Sequence, residues 1–69
     1  MKDVLEALEE IYLNEIPYIE DIEKIYPFSI IEYILDLRMA EYFDDNDNGP
    51  RIKITSKGIN ILQDYEIID

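Results

Sequence analysis

A chain of 69 residues with no cysteine and no histidine leaves room for one small domain, 1–69. It excludes disulfide staples, imidazole- or thiolate-held zinc, and acid–base or nucleophilic catalysis built on His or Cys. Six cations against seventeen anions give a net charge of -11, a field that repels nucleic acid and anionic membranes at long range.

Residues 2–13 read as an amphipathic helix. Val4, Leu5, Leu8, Ile11 and Tyr12 recur at spacings of three and four, with Glu6, Glu9 and Glu10 facing away. Asp3 favours the helix N-terminus, Asn14 offers a stop, and Pro17 discourages continuation. Pro17 is expected in the first turn of a second helix that runs to about Ile25. Its inner side would be Ile19, Ile22 and Ile25 or Tyr26, with Pro27 making the corner.

A third helix is expected over 28–37. Phe28, Ile31, Ile34 and Leu35 would face inward, while Ser29, Glu32, Tyr33 and Asp36 form one outward stripe. Strands are expected over 40–43 and 51–55, where Arg51, Lys53 and Thr55 alternate with Ile52 and Ile54. Between them Asp44-Asp45-Asn46-Asp47-Asn48-Gly49-Pro50 is dense turn chemistry, and Asn-Gly favours a hairpin. Thr55 or Ser56 can cap a last helix, with Ile59, Leu62 and Ile61 or Tyr65 inward and Ile67-Ile68 as a fraying or packed tail.

The class is therefore α+β: three helices, a two-stranded hairpin and a C-terminal helix. Two stretches, Leu35-Asp36-Leu37-Arg38-Met39-Ala40-Glu41-Tyr42 and Ile52-Lys53-Ile54-Thr55-Ser56-Lys57-Gly58-Ile59-Asn60-Ile61-Leu62, resemble the winged helix-turn-helix family. The second is similar to the x-T-x-K-G-x-x-x-L return from wing to last helix in small archaeal-type members. Many members carry Gly where this chain has Arg38, at a sharp turn that a side chain enters at steric cost.

The resemblance makes the third helix the groove-reading helix, yet its stripe carries Glu32 and Asp36 and no cation. Carboxylates there are repelled by phosphates, and Arg or Lys is the usual reader of a base. The stripe Ser29, Glu32, Tyr33 and Asp36 is thus expected to be either a plain solvated face or, in the functional reading, a protein contact with Tyr33 as an exposed anchor. The wing differs. Residues 50–63 hold no carboxylate, and Arg51, Lys53 and Lys57 form a candidate phosphate contact. Neutralising Asp44, Asp45 and Asp47 is their plainer role.

Asp44-x-Asn46-x-Asn48-Gly49 follows the opening of a calcium loop, but Thr55 stands where a bidentate Glu is needed. No metal and no cofactor is expected, and the sequence offers no catalytic constellation. The expectation is a cytoplasmic, non-enzymatic module that spans no membrane. It would meet a basic protein partner within transcription or other nucleic-acid machinery, as an inhibitor or DNA mimic in the sharpest version. The alternative is a DNA-binding regulator that contacts phosphates through its wing. As a homodimer, through the first helix or Ile67 and Ile68, it would combine the contacts of two wings.

Overall fold

A computed structural model describes residues 2–45 and 49–69. The elements follow the order α1 (Lys2–Leu13), α2 (Ile19–Glu23), α3 (Phe28–Asp36), β1 (Ala40–Asp45), β2 (Gly49–Ile54) and α4 (Ser56–Asp64). The chain is α+β, with four helices and one antiparallel hairpin.

One core joins all six elements. α1 lies against α2, α3, α4 and β2, and it buries Val4, Ala7, Leu8 and Ile11. Leu8, Ile11, Ile22, Ile31, Ile34, Ile52 and Leu62 lose essentially all contact with solvent. Burying each such side chain contributes about 1.5–3 kcal/mol. Among the described residues no buried side chain is polar or charged, so the excess of carboxylates is carried entirely by the surface.

The second helix is shorter than the sequence suggests. Pro17 does not open it. Tyr18, in extended conformation, precedes Ile19, and the Ile52 N–H donates to the Pro17 carbonyl at 3.0 Å. Tyr18 forms an isolated antiparallel bridge with Arg51. The segment before α2 is thus held to the open side of β2, which removes it from the helix. At the other end Lys24 and Ile25 turn away, Ile25 is exposed, and Tyr26 packs on the core.

The hairpin register pairs Ala40 with Ile54, Glu41 with Lys53, Tyr42 with Ile52 and Phe43 with Arg51. Alternation places Ala40 and Ile52 inward, and Glu41 and Lys53 outward. Both strands extend further towards the tip than the sequence indicates, to Asp45 and from Gly49. Gly49 takes φ 102°, a conformation that glycine adopts without steric cost. Residues 46–48 lie outside the described residues, and with them the cation-loop question. β1 has β2 on one side and no strand on the other among the described residues.

Three helices end through a non-glycine residue in the left-handed region: Glu15 at φ 62°, Arg38 at 61° and Glu66 at 58°. At α3 the Arg38 N–H donates to the Leu35 carbonyl (3.1 Å) and the Met39 N–H to the Ile34 carbonyl (3.0 Å). At α4 the pattern repeats, from Glu66 to Gln63 (3.0 Å) and from Ile67 to Leu62 (2.9 Å). Both are Schellman endings. The second folds Ile67 and Ile68 back against the core, so the tail packs.

Candidate functional site

The outward stripe of α3 comes first. Ser29, Glu32, Tyr33 and Asp36 are all exposed, as one face of a nine-residue helix. Phe28 at the start of the helix and Leu37 just after its end are exposed as well, at 59% and 38%, and Tyr33 is 43% exposed. Phe28 therefore does not pack inward. Ile31 and Ile34 alone are fully buried on this helix, with Ile30 and Leu35 as partly buried shoulders. Residues 28–37 thus hold three exposed large apolar side chains, two exposed carboxylates and no cation.

The cations of the hairpin divide. Arg51 is half-buried and committed to the fold. Its Nη1 donates to the Ile16 carbonyl at 3.2 Å and its Nη2 to the Tyr18 hydroxyl at 2.7 Å. Its guanidinium carbon lies 4.3 Å from the Tyr18 ring centroid. A planar fork that donates while resting on an aromatic ring is a role a lysine cannot fill. Arg51 thus staples the segment before α2 to β2, and as a phosphate contact it would first have to abandon this arrangement.

Lys53 and Lys57 stay exposed and are joined by a residue that the sequence marks only as a turn position. Arg38, from the turn that ends α3, lines a cleft of about 450 Å³ with Glu41, Lys53, Thr55, Ser56 and Lys57. Three of the six cations of the chain meet there. Hairpin register was the available signal: pairing Ala40 with Ile54 necessarily brings residues just before β1 next to those just after β2. The same register sets Lys53 opposite Glu41 and Arg51 opposite Phe43. Neither is therefore directly across from Asp44 or Asp45.

Thr55 fixes the floor of this cleft. Its hydroxyl donates to the Arg38 carbonyl at 2.6 Å and accepts from the Gly58 N–H at 3.2 Å, while its own N–H donates to the Met39 carbonyl at 3.0 Å. One side chain caps α4 and holds the end of α3. Gly58 is required at this crossing. A Cβ there would collide with the Met39 carbonyl oxygen and stand 2.7 Å from Ile54 Cγ1. The Thr-x-x-Gly spacing is a packing constraint.

A third surface follows α1. Asp3, Glu6, Glu9 and Glu10 project from this helix, with Lys2 as its only cation. The pKa of Tyr26 is raised above its ordinary value of 10.0, first by burial and then by Glu10, Glu6, Glu9 and Asp3. The negative field of α1 therefore reaches across to the corner before α3.

Among the described residues no group of three or more His, Cys, Asp or Glu is placed to hold a metal ion, and no helix is long and apolar enough to cross a membrane. No protein-family model, no curated protein and no solved structure matches the chain.

Proposed function

We propose that the chain is a winged helix-turn-helix domain that acts through protein contact, with α3 as its docking face for a basic partner in transcription or other nucleic-acid machinery. The order of three helices, hairpin and helix supports the fold assignment. One observation carries the functional part: the outward face of α3 presents exposed Tyr33 beside Glu32 and Asp36, with exposed Phe28 and Leu37 at the two ends of the helix. Tyrosine is among the side chains that most often anchor an interface. Carboxylates beside it speed the approach of a basic partner and disfavour a polyanion. Inhibition of a DNA-binding protein, by occupying its cationic surface, is the most economical use of such a face.

A photo-crosslinking amino acid at position 33 tests this, with the same group at exposed position 12 as control. Position 33 should capture a basic protein, and Glu32→Lys with Asp36→Lys should abolish the adduct. Equal capture from both positions, or an adduct indifferent to the charge reversals, rejects the reading.

The cleft of Arg38, Lys53 and Lys57 favours a second reading, a regulator that grips phosphates at the base of its hairpin, as a dimer if the few contacts of one copy are to suffice. A mobility-shift titration at low salt separates the two. Under the second reading duplex DNA is shifted and Lys53→Glu with Lys57→Glu abolishes the shift. Under the first no shift occurs.

A further inference from the structure

The Schellman ending of α4 has a second effect beyond closing the helix. By turning Ile67 back towards the core it builds one wall of a groove whose other wall is α1. Leu5, Tyr65 and Ile67 form its apolar lining, and Lys2, Glu6 and Glu9 complete it, around a volume of about 470 Å³. Tyr65 is 56% exposed, although it lies on the apolar side of a folded helix end. None of these residues belongs to α3 or to the hairpin.

The electrostatics of the rim select the occupant. Glu6 and Glu9 stand at the groove itself, Asp3 and Glu10 lie on the same helix, and Lys2 alone opposes them. These four carboxylates are the ones whose field is felt by the Tyr26 hydroxyl. A second copy of this chain is a poor occupant, because an isologous pairing brings the Glu6 and Glu9 rims of two molecules of net charge -11 together. An anionic lipid or nucleic acid is repelled by the same rim.

We propose that the groove between α1 and the residues after α4 docks a cationic amphipathic segment of another protein, which inserts an aliphatic or aromatic side chain between Leu5 and Ile67 and sets Lys or Arg against Glu6 and Glu9. The proposal rests on the reading of the chain as a protein-contact module and adds a surface distinct from the face of α3. A helix with one apolar stripe and basic flanks fits the shape and the charge. With both surfaces occupied, the domain would bridge two basic segments.

Titration of the isotope-labelled full chain by NMR tests this, with a synthetic Leu/Lys amphipathic peptide as probe and deca-lysine as its purely electrostatic control. The amphipathic peptide should shift the amides of Leu5, Glu6, Glu9 and Ile67 and bind at least about tenfold more tightly than deca-lysine. Glu6→Lys with Glu9→Lys, both on the surface and checked for an unchanged circular dichroism spectrum, should weaken it about tenfold or more. Glu20→Lys with Glu23→Lys, an equal change of charge at exposed positions of α2, should weaken it far less. Shifts confined to α3 overturn the groove and spare the protein-contact reading. Shifts on neither surface overturn both. Equal affinity for the two peptides, or a sedimenting dimer that Leu5→Asp dissociates, also overturns the proposal.

Discussion

The Arg51 guanidinium rests on the ring of Tyr18, 4.3 Å from its centroid, while also donating to the hydroxyl of that tyrosine at 2.7 Å. This pair, with the bond from Arg51 Nη1 to the Ile16 carbonyl, links the segment before α2 to the sheet, beside the backbone bond from Ile52 to Pro17. Arg51→Ala should destabilise the chain by about 1–3 kcal/mol, and Arg51→Lys should recover little of that loss. Urea denaturation checks both. A double-mutant cycle with Tyr18→Phe should show non-additive costs; additive ones would mean that the hydroxyl contact contributes nothing.

Gly58→Ala should be among the most damaging single-methyl changes in the chain, because the added carbon meets the Met39 backbone and not a flexible side-chain tip. A cost of about 1–3 kcal/mol or more is expected. Thr55→Ala should cost about 1 kcal/mol through loss of the cap, and Thr55→Ser should restore most of it. Thermal melts of the three variants decide the matter, and a melting point unchanged by Gly58→Ala would contradict the described crossing of α4 over the end of α3.

Glu15 and Glu66 occupy left-handed conformations that favour glycine. Glu15→Gly and Glu66→Gly should each raise stability by about 0.5–1 kcal/mol. Glu15→Gln and Glu66→Gln are the controls, since they remove the charge and keep the strain. If the Gln variants match the Gly variants in denaturant midpoint, the gain is electrostatic and the backbone explanation is wrong.

Tyr26 supplies a pH prediction. Its folded pKa lies above the ordinary 10.0, by burial first and the α1 carboxylates second. The unfolded chain therefore releases this proton earlier than the folded one. The associated stability is fully present below pH 10.0 and is lost as pH rises through the folded value. Tyr26→Phe should flatten the alkaline decline measured between about pH 8 and about pH 11. An unchanged slope would show that the hydroxyl does not sense its surroundings.

Much of the architecture was legible in the residues. The three-and-four spacing of Val4, Leu8 and Ile11 announces α1, and the alternation of Arg51 to Ile54 announces β2. Their periods follow directly from which side meets the core. Thr55, one of the two capping residues the sequence offers, marks where α4 begins. What escaped notice depends on contacts distant in sequence. Pro17 suits a first helical turn locally, and only pairing with Ile52 takes it out of the helix. Phe28 looks like core by type, yet Ile31 and Ile34 already fill the inward side of α3. Arg51 looks like a free basic residue by its position on β2, and Tyr18, thirty-three positions away, decides otherwise. Arg38 looks like a steric cost at a turn, and the register of the hairpin makes it part of the cationic cleft.

The outer side of β1 has backbone donors and acceptors that no neighbouring strand uses among the described residues, next to the exposed rings of Tyr42 and Phe43. Such a border invites stacking of one molecule on the next. Here the letters between Ala40 and Asp45 forbid it: an antiparallel match centred on Tyr42 and Phe43 puts Glu41 of one molecule against Asp44 of the other, and the strand contains no cation to relieve the clash. The acidity of β1 thus opposes edge-to-edge pairing of copies. That protection should weaken near the isoelectric point of about 4.1, where the net charge of the domain vanishes.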